Sequence, residues 1–158
     1  MDDFKDDEIT NVDGLRAWTF RVDGKPMGWQ RAGRSGATYF TQKETAAAQR
    51  MVRRAARAAG VEVIDGAVNM QCLALFALPE KMAASSKAAD KEEISQRMSG
   101  NRWHLQKPDD DNIGKLVRDA LNGVAYHDDA QVCGGGGVVK RWTDGAPSLT
   151  ITITELPR

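Results

Sequence analysis

The stretch KPDDDNIGKLVRDAL, Lys107 to Leu121, places three aspartates side by side and begins an amphipathic run inside them. At a separation of about 4 Å and an effective dielectric near 20, each like-charged pair costs on the order of 4 kcal/mol. A solvated loop screens that cost, and a bound cation reverses it. Behind the aspartates, Ile113, Leu116, Val117, Ala120 and Leu121 fall at i, i+3, i+4, i+7 and i+8, a complete apolar helix stripe. The spacing predicts a helix over Asp111–Asn122, with Asp111 at its start capping free N–H groups and Asn122–Gly123 stopping it. Capping accounts for one aspartate, not three. Lys115 and Asp119 continue from Asp111 along the polar face, and YHDDAQV follows one helix later, with Asp128 and Asp129 where the chain enters its next strand.

Outward from this segment, β and α signals alternate. AWTFRV (Ala17–Val22) alternates Trp18, Phe20 and Val22 with polar positions, as a half-buried strand does. A Gly-rich basic loop, KPMGWQRAGRSGATYFT, follows and ends in a short strand, TYF. Thr41 and Glu44 have capping-box spacing, and a helix runs from there to about Gly60. Its apolar stripe is Ala48, Met51, Val52, Ala55 and Ala59; Arg50, Arg53, Arg54 and Arg57 repeat the same spacing on the opposite side. AVNMQCLALFALP (Ala67–Pro79) reads as a central strand ended by its proline. Residues 80–107 are polar and weakly helical at best, a long connection that is either mobile or functional. VVKRW and SLTITITEL then predict two strands paired as a hairpin around TDGAPS. The order β, α, β, α, β, β predicts one α+β domain with a small mixed sheet and two main helices.

Composition sets outer bounds. A chain of 158 residues suits one domain with a modest core. No apolar run approaches the roughly 18 residues of a membrane span. The acidic start, MDDFKDDEITNVDG, is neither a signal nor a transit peptide, and Cys72 in its apolar run reads as a reduced core residue, so a cytoplasmic location is expected. Net charge is zero but unevenly spread: residues 16–60 carry ten Lys/Arg against two acids, and residues 108–130 carry two bases against six acids. The arginine stripe on the first helix is either a solvated face or a phosphate-contacting surface.

The acids are hard oxygen ligands of the kind that suits Mg²⁺ or Mn²⁺. Other readings fail on spacing. An EF-hand loop from Asp109 would put Ala120 at its twelfth position. No P-loop lysine motif is present, and His104, His127, Cys72 and Cys133 lack zinc-ligand spacing. The run Gly134–Gly137 has no helix after it and reads as a bulged strand entry rather than a dinucleotide site. Pro108–Asp109 resembles the start of a PD…(D/E)xK nuclease pattern, but no D/E-x-K follows it.

The segments DDDNIGKLVRDALNG and DDAQV, with a Val-Val-Lys strand and the final LTITITE, resemble the RusA family of Holliday junction resolvases, common in bacteria and prophages. The match is good over about 107–155, and the basic loop resembles the family's N-terminal loop more loosely. Asp110 adds an acid where the family usually has a neutral residue, and Gly114 weakens the helix by about 1 kcal/mol relative to Ala. The acidic extension at 1–15 and the long loop at 80–107 are unusual for the family, and the resemblance implies a RusA-like endonuclease domain at 16–158. It implies a Mg²⁺-dependent endonuclease that acts as a homodimer on branched DNA, the four-way junction above all, in recombination and repair. Asp109, Asp111 and Asp129 would hold the metal, with Asp128 as an alternate ligand, and Lys115 would offset charge on the phosphate. Lys25, Arg31 and Arg34 of the loop and Arg50, Arg54 and Arg57 of the first helix are the candidate DNA contacts. Two competing classes stand beside this one: a DNA-binding protein that holds a cation without hydrolysis, and an interaction module whose acidic tail mimics nucleic acid.

Overall fold

The computed structural model describes residues 14–30, 33–35, 38–40 and 42–157. The acidic extension up to residue 13, Arg31 and the Thr41 member of the expected capping box lie outside them; Arg34 falls in a short strand described by its backbone alone. In chain order the elements are β1 (Ala17–Asp23), β2 (Gly33–Ser35), β3 (Thr38–Phe40), α1 (Gln42–Ala58), β4 (Val68–Ala77), α2 (Glu80–Ala83), α3 (Ala88–Met98), α4 (Asp110–Leu121), a 3-10 turn (Asp129–Gln131), β5 (Val132–Thr143) and β6 (Ser148–Glu155). The main sheet has the order β1-β6-β4-β5, with only β4 and β5 parallel, and β2 and β3 form a separate ribbon. This is the expected α+β fold with a small mixed sheet.

Alternation decides which face of the sheet is buried. Trp18 and Phe20 of β1, Met70, Cys72, Ala74 and Phe76 of β4, and Leu149, Ile151 and Ile153 of β6 all point to one side and are buried. Val52 and Ala56 of α1 and the whole predicted stripe of α4 cover them. Burying each large side chain stabilises the fold by about 1.5–3 kcal/mol, so truncating Leu116, at the centre of α4, is expected to cost about 2–5 kcal/mol. The threonines of β6 face the other way, where Thr152 bonds Thr19 at 3.0 Å.

Three expectations are corrected. β5 and β6 do not form a hairpin: β4 lies between them, parallel to β5 and antiparallel to β6. The reason is that β4, which buries Val68, Met70, Cys72, Ala74 and Phe76 along one face, lies at the centre of the core and needs both edges paired, because unpaired backbone groups inside a core are costly. The segment after β4 is helical rather than a plain connection. α3 has no buried residue, and it is held by i,i+4 pairs, Glu93 with Arg97 at 2.9 Å and Glu92 with Gln96 at 2.7 Å. Finally, α4 begins one residue early, with Asp109 and not Asp111 in the cap position and no side-chain cap bond. Asp110 therefore lies in the first helical turn.

The glycine run behaves as expected. It enters β5 through register shifts between Val68 and Gln71 of the partner strand. Gly135, at φ +127°, lies so close to the Met70 carbonyl that no Cβ fits there. No helix among the described residues is long and apolar enough to cross a membrane.

Candidate active site

The buried stripe of α4 locks the helix rotationally, which turns Asp111, Lys115 and Asp119 to its polar face. The helix N-terminus carries positive potential, so Asp109, Asp110 and Asp111 are partly stabilised where they stand. The Lys107 ammonium pairs with Asp109, and Asp111 Oδ1 accepts from the Asn112 N–H at 2.9 Å.

The basic loop packs directly on this helix start. Trp29 N–H donates to Asn112 O at 2.8 Å, and the Lys115 ammonium sits 3.5 Å from the centre of the Trp29 ring. The ring face attracts the cation and holds it beside the aspartates. The approach depends on Gly28, where an added Cβ would lie 2.7 Å from Pro108 Cβ and 3.2 Å from Asn112 Cβ. Between loop and helix lies a cavity of about 440 Å³ lined by Lys25, Trp29, Gln30, Lys107, Asp109 and Asn112, among others. Lys25, Lys107 and Asp109 thus line one cleft, and Lys115 reaches it through the Trp29 ring.

From the opposite side, Lys140 of β5 reaches the same segment. Its ammonium donates to Gln106 O at 2.8 Å and Pro108 O at 2.9 Å, which fixes the backbone leading into Asp109. Sequence reasoning passed over Lys140 as a site residue, although it is the lysine of the Val-Val-Lys strand. Trp29 was also passed over; its only signal was an aromatic residue in a Gly-rich basic loop.

The second acidic pair divides its work. Asp128 Oδ1 caps the 3-10 turn by accepting from the Ala130 N–H at 2.8 Å. Gln131 accepts from the His127 and Asp128 N–H groups and donates to the carbonyls of Ile64 and Gly66, both at 2.8 Å. So the aspartate and glutamine of DDAQV staple the turn. The exposed Asp129 lies close enough to α4 to act on Asp119, whose carboxyl is raised above the usual carboxylate range. Burial is the main cause; Lys115 opposes it, and Asp129 adds to it.

The carboxylates are chemically suited to a hard divalent cation. Yet among the described residues no three His, Cys, Asp or Glu are grouped closely enough to hold a metal ion. Asp109 and Asp111 share the start of α4, and Asp129 stands by Asp119 further along it. Other reactive groups are not poised. Burial pushes the Cys72 thiol up to about 12, so it is no nucleophile, and His127 is paired with Asp65 at 2.8 Å on the surface.

Among the arginines of α1, Arg50, Arg54 and Arg57 are exposed. Arg53 instead turns inward and donates from Nε to Ala120 O at 3.1 Å, at the C-terminal end of α4, where the helix dipole favours a cation. It is a structural contact rather than part of a phosphate stripe.

A family model described as Endodeoxyribonuclease RusA matches residues 23–154. The match takes in the basic loop, α1, α4 and both acidic segments. No curated protein matches the chain.

Proposed function

The chain belongs to the RusA family and is an endodeoxyribonuclease, and on that premise we propose that it cuts branched DNA, four-way junctions above all, with a divalent metal such as Mg²⁺ or Mn²⁺. The observation that carries this reading is the cleft in which Asp109, at the start of α4, meets Lys25 and Lys107, with Lys115 held on the Trp29 ring that lines it. An acidic site repels DNA unless cations beside it hold the phosphates, and here both are supplied within one cleft.

In the proposed reaction a water oxygen forms a new bond to phosphorus while one bridging oxygen leaves with the electron pair of the broken bond. Asp109, Asp111 and Asp129 would hold the metal, and because the three do not form one group here, binding it would have to draw Asp129 and the start of α4 together. A divalent cation bound there would supply Lewis-acid stabilisation of the phosphate and a water of lowered pKa. Lys115 offsets charge developing on the phosphate oxygens. Lys25 and Lys107 hold the strand in the cleft. Lys140 keeps Asp109 in place through the Pro108 carbonyl. Asp128 serves the turn, which leaves the exposed Asp129 as the member of its pair for the metal.

A four-way junction offers symmetry-related strands, and each chain carries one acidic site. A two-fold homodimer matches that arrangement. We assign it to the cytoplasm, in recombination and repair. The deciding experiment is cleavage of an end-labelled four-way junction with and without Mg²⁺. Metal-dependent nicks near the crossover are expected, and junctions that bind but stay uncut under both conditions would overturn the reading.

A further inference from the structure

Just before the acidic segment, Ser99 to Pro108 exposes two apolar side chains, Trp103 at 52% and Leu105 at 88%. A lone exposed leucine on a loose loop carries no meaning. This loop is not loose. Lys140, Arg141 and Trp142, consecutive on β5, hold four of its carbonyls: Arg141 takes Gly100 O at 3.1 Å, Trp142 takes Trp103 O at 3.3 Å, and Lys140 takes Gln106 O and Pro108 O. Between the two exposed residues His104 is buried, stacked on Phe76 at 3.7 Å and leaning on Trp142 at 4.5 Å. The Arg97 guanidinium lies 4.2 Å from the centre of the Trp142 ring, and that of Arg141 lies 3.4 Å from the centre of the Trp103 ring. The fold therefore anchors the loop through His104 and holds Leu105 out in water.

We propose that Leu105, with Trp103 beside it, is a wedge that enters the base stack at the branch point of the DNA. This rests on the branched-DNA function proposed for the acidic cleft. Three observations choose this occupant. Leu105 and Asp109 are four positions apart in the chain, which limits their Cα distance to about 14 Å, or roughly four base steps along a strand. The loop has no acid from Ser99 to Pro108 and carries two exposed cations, Arg102 and Lys107, whose surface pairs with Glu93 and Asp109 a phosphate can replace, so its charge suits a polyanion. An apolar side chain of this size on a rigid support is what unstacks a base step, and bases at a crossover are the cheapest to unstack.

The test uses four-way junctions with 2-aminopurine at the crossover, bound by the full-length protein in EDTA. Wild type is expected to raise 2-aminopurine emission severalfold. Leu105→Ser combined with Trp103→Ser is expected to abolish the rise and to slow Mg²⁺-supported cutting at least tenfold, with the salt dependence of binding unchanged. Leu105→Met alone is expected to keep the rise, which separates a lost wedge from a damaged fold. Wild type that cuts junctions without changing the emission overturns the wedge alone. Wild type that leaves junctions uncut overturns the junction reading and the wedge with it. A double variant whose mass in solution falls below that of wild type without DNA also overturns the wedge, because the apolar pair then seats a second copy of the chain.

Discussion

Replacing Gly28 by alanine probes whether the basic loop is part of the active site. The new Cβ would stand 2.7 Å from Pro108 Cβ and 3.2 Å from Asn112 Cβ, where carbon atoms normally rest about 3.5–4.0 Å apart. Neither neighbour yields easily. Lys140 holds the Pro108 carbonyl, and Asn112 belongs to α4. The loop itself must retreat by about 1 Å, and overpacking of this kind costs about 1–3 kcal/mol. The retreat also loosens the bond from Trp29 N–H to Asn112 O, worth about 0.5–1.5 kcal/mol, and lifts the Trp29 ring from Lys115. The combined loss of about 2–4 kcal/mol leaves a domain of ordinary stability folded. A shift of 1 Å in the groups around a reacting phosphate is worth about 10²-fold in rate. Urea unfolding and single-turnover cleavage of a labelled junction, measured on the same preparation, read the two effects separately. A folded Gly28→Ala protein that cuts at the wild-type rate would refute the reasoning, since the loop's seat on α4 would then be irrelevant to the chemistry.

Asp109→Asn, Asp111→Asn and Asp129→Asn are each expected to lower single-turnover cleavage by at least 10²-fold while junction affinity persists; Asp128→Ala should instead cost about 1 kcal/mol of stability by removing its cap, and the reverse ranking would reassign the pair. Gly114→Ala is expected to stabilise by about 1 kcal/mol, because its Cβ would meet Val138 Cγ2 at an ordinary 3.6 Å; a lowered urea midpoint would show that β5 lies too close. Burial, with help from Lys140, depresses His104 to about 4. Its contribution to stability is therefore full above the ordinary histidine value of about 6.5 and is lost as pH falls through about 4. The loss of stability between pH 7 and pH 5, followed by urea midpoints, should shrink in His104→Phe, and an unchanged loss would mean His104 protonates without penalty. Junction binding should weaken steeply with salt, and removing Arg50, Arg54 and Arg57 together, or Lys25 alone, should flatten the slope by about 0.9 for each phosphate no longer neutralised. A wild-type slope in both variants would place the DNA surface elsewhere.

The periodic elements were legible because their signals are local. The i, i+3, i+4 stripe of α4 is buried residue for residue, and the alternation in β1, β4 and β6 sets one face of the sheet. The acidic residue types at Asp109, Asp111 and Asp129 and the cation at Lys115 stood out for the same reason. α3 was harder to read, because a helix with no buried side chain has no apolar stripe and rests on charge pairs and its seat against β5. The expected hairpin of β5 and β6 followed chain order, whereas β4 required a partner on each edge and took both.

The amino-acid sequence by itself determined the fold class, the length and facing of α4, and the chemistry available at its start. Tertiary structure alone decided that Trp29 holds Lys115, that Lys140 steadies Asp109 through Pro108, that Asp128 caps the 3-10 turn, and that Arg53 turns inward. Helix and strand periods are written every two to four residues, so a single chain displays them. The Lys140–Pro108 hydrogen bond spans 32 positions and the Arg53–Ala120 hydrogen bond spans 67, and no local period encodes a distance that arises only when the sheet closes over its helices.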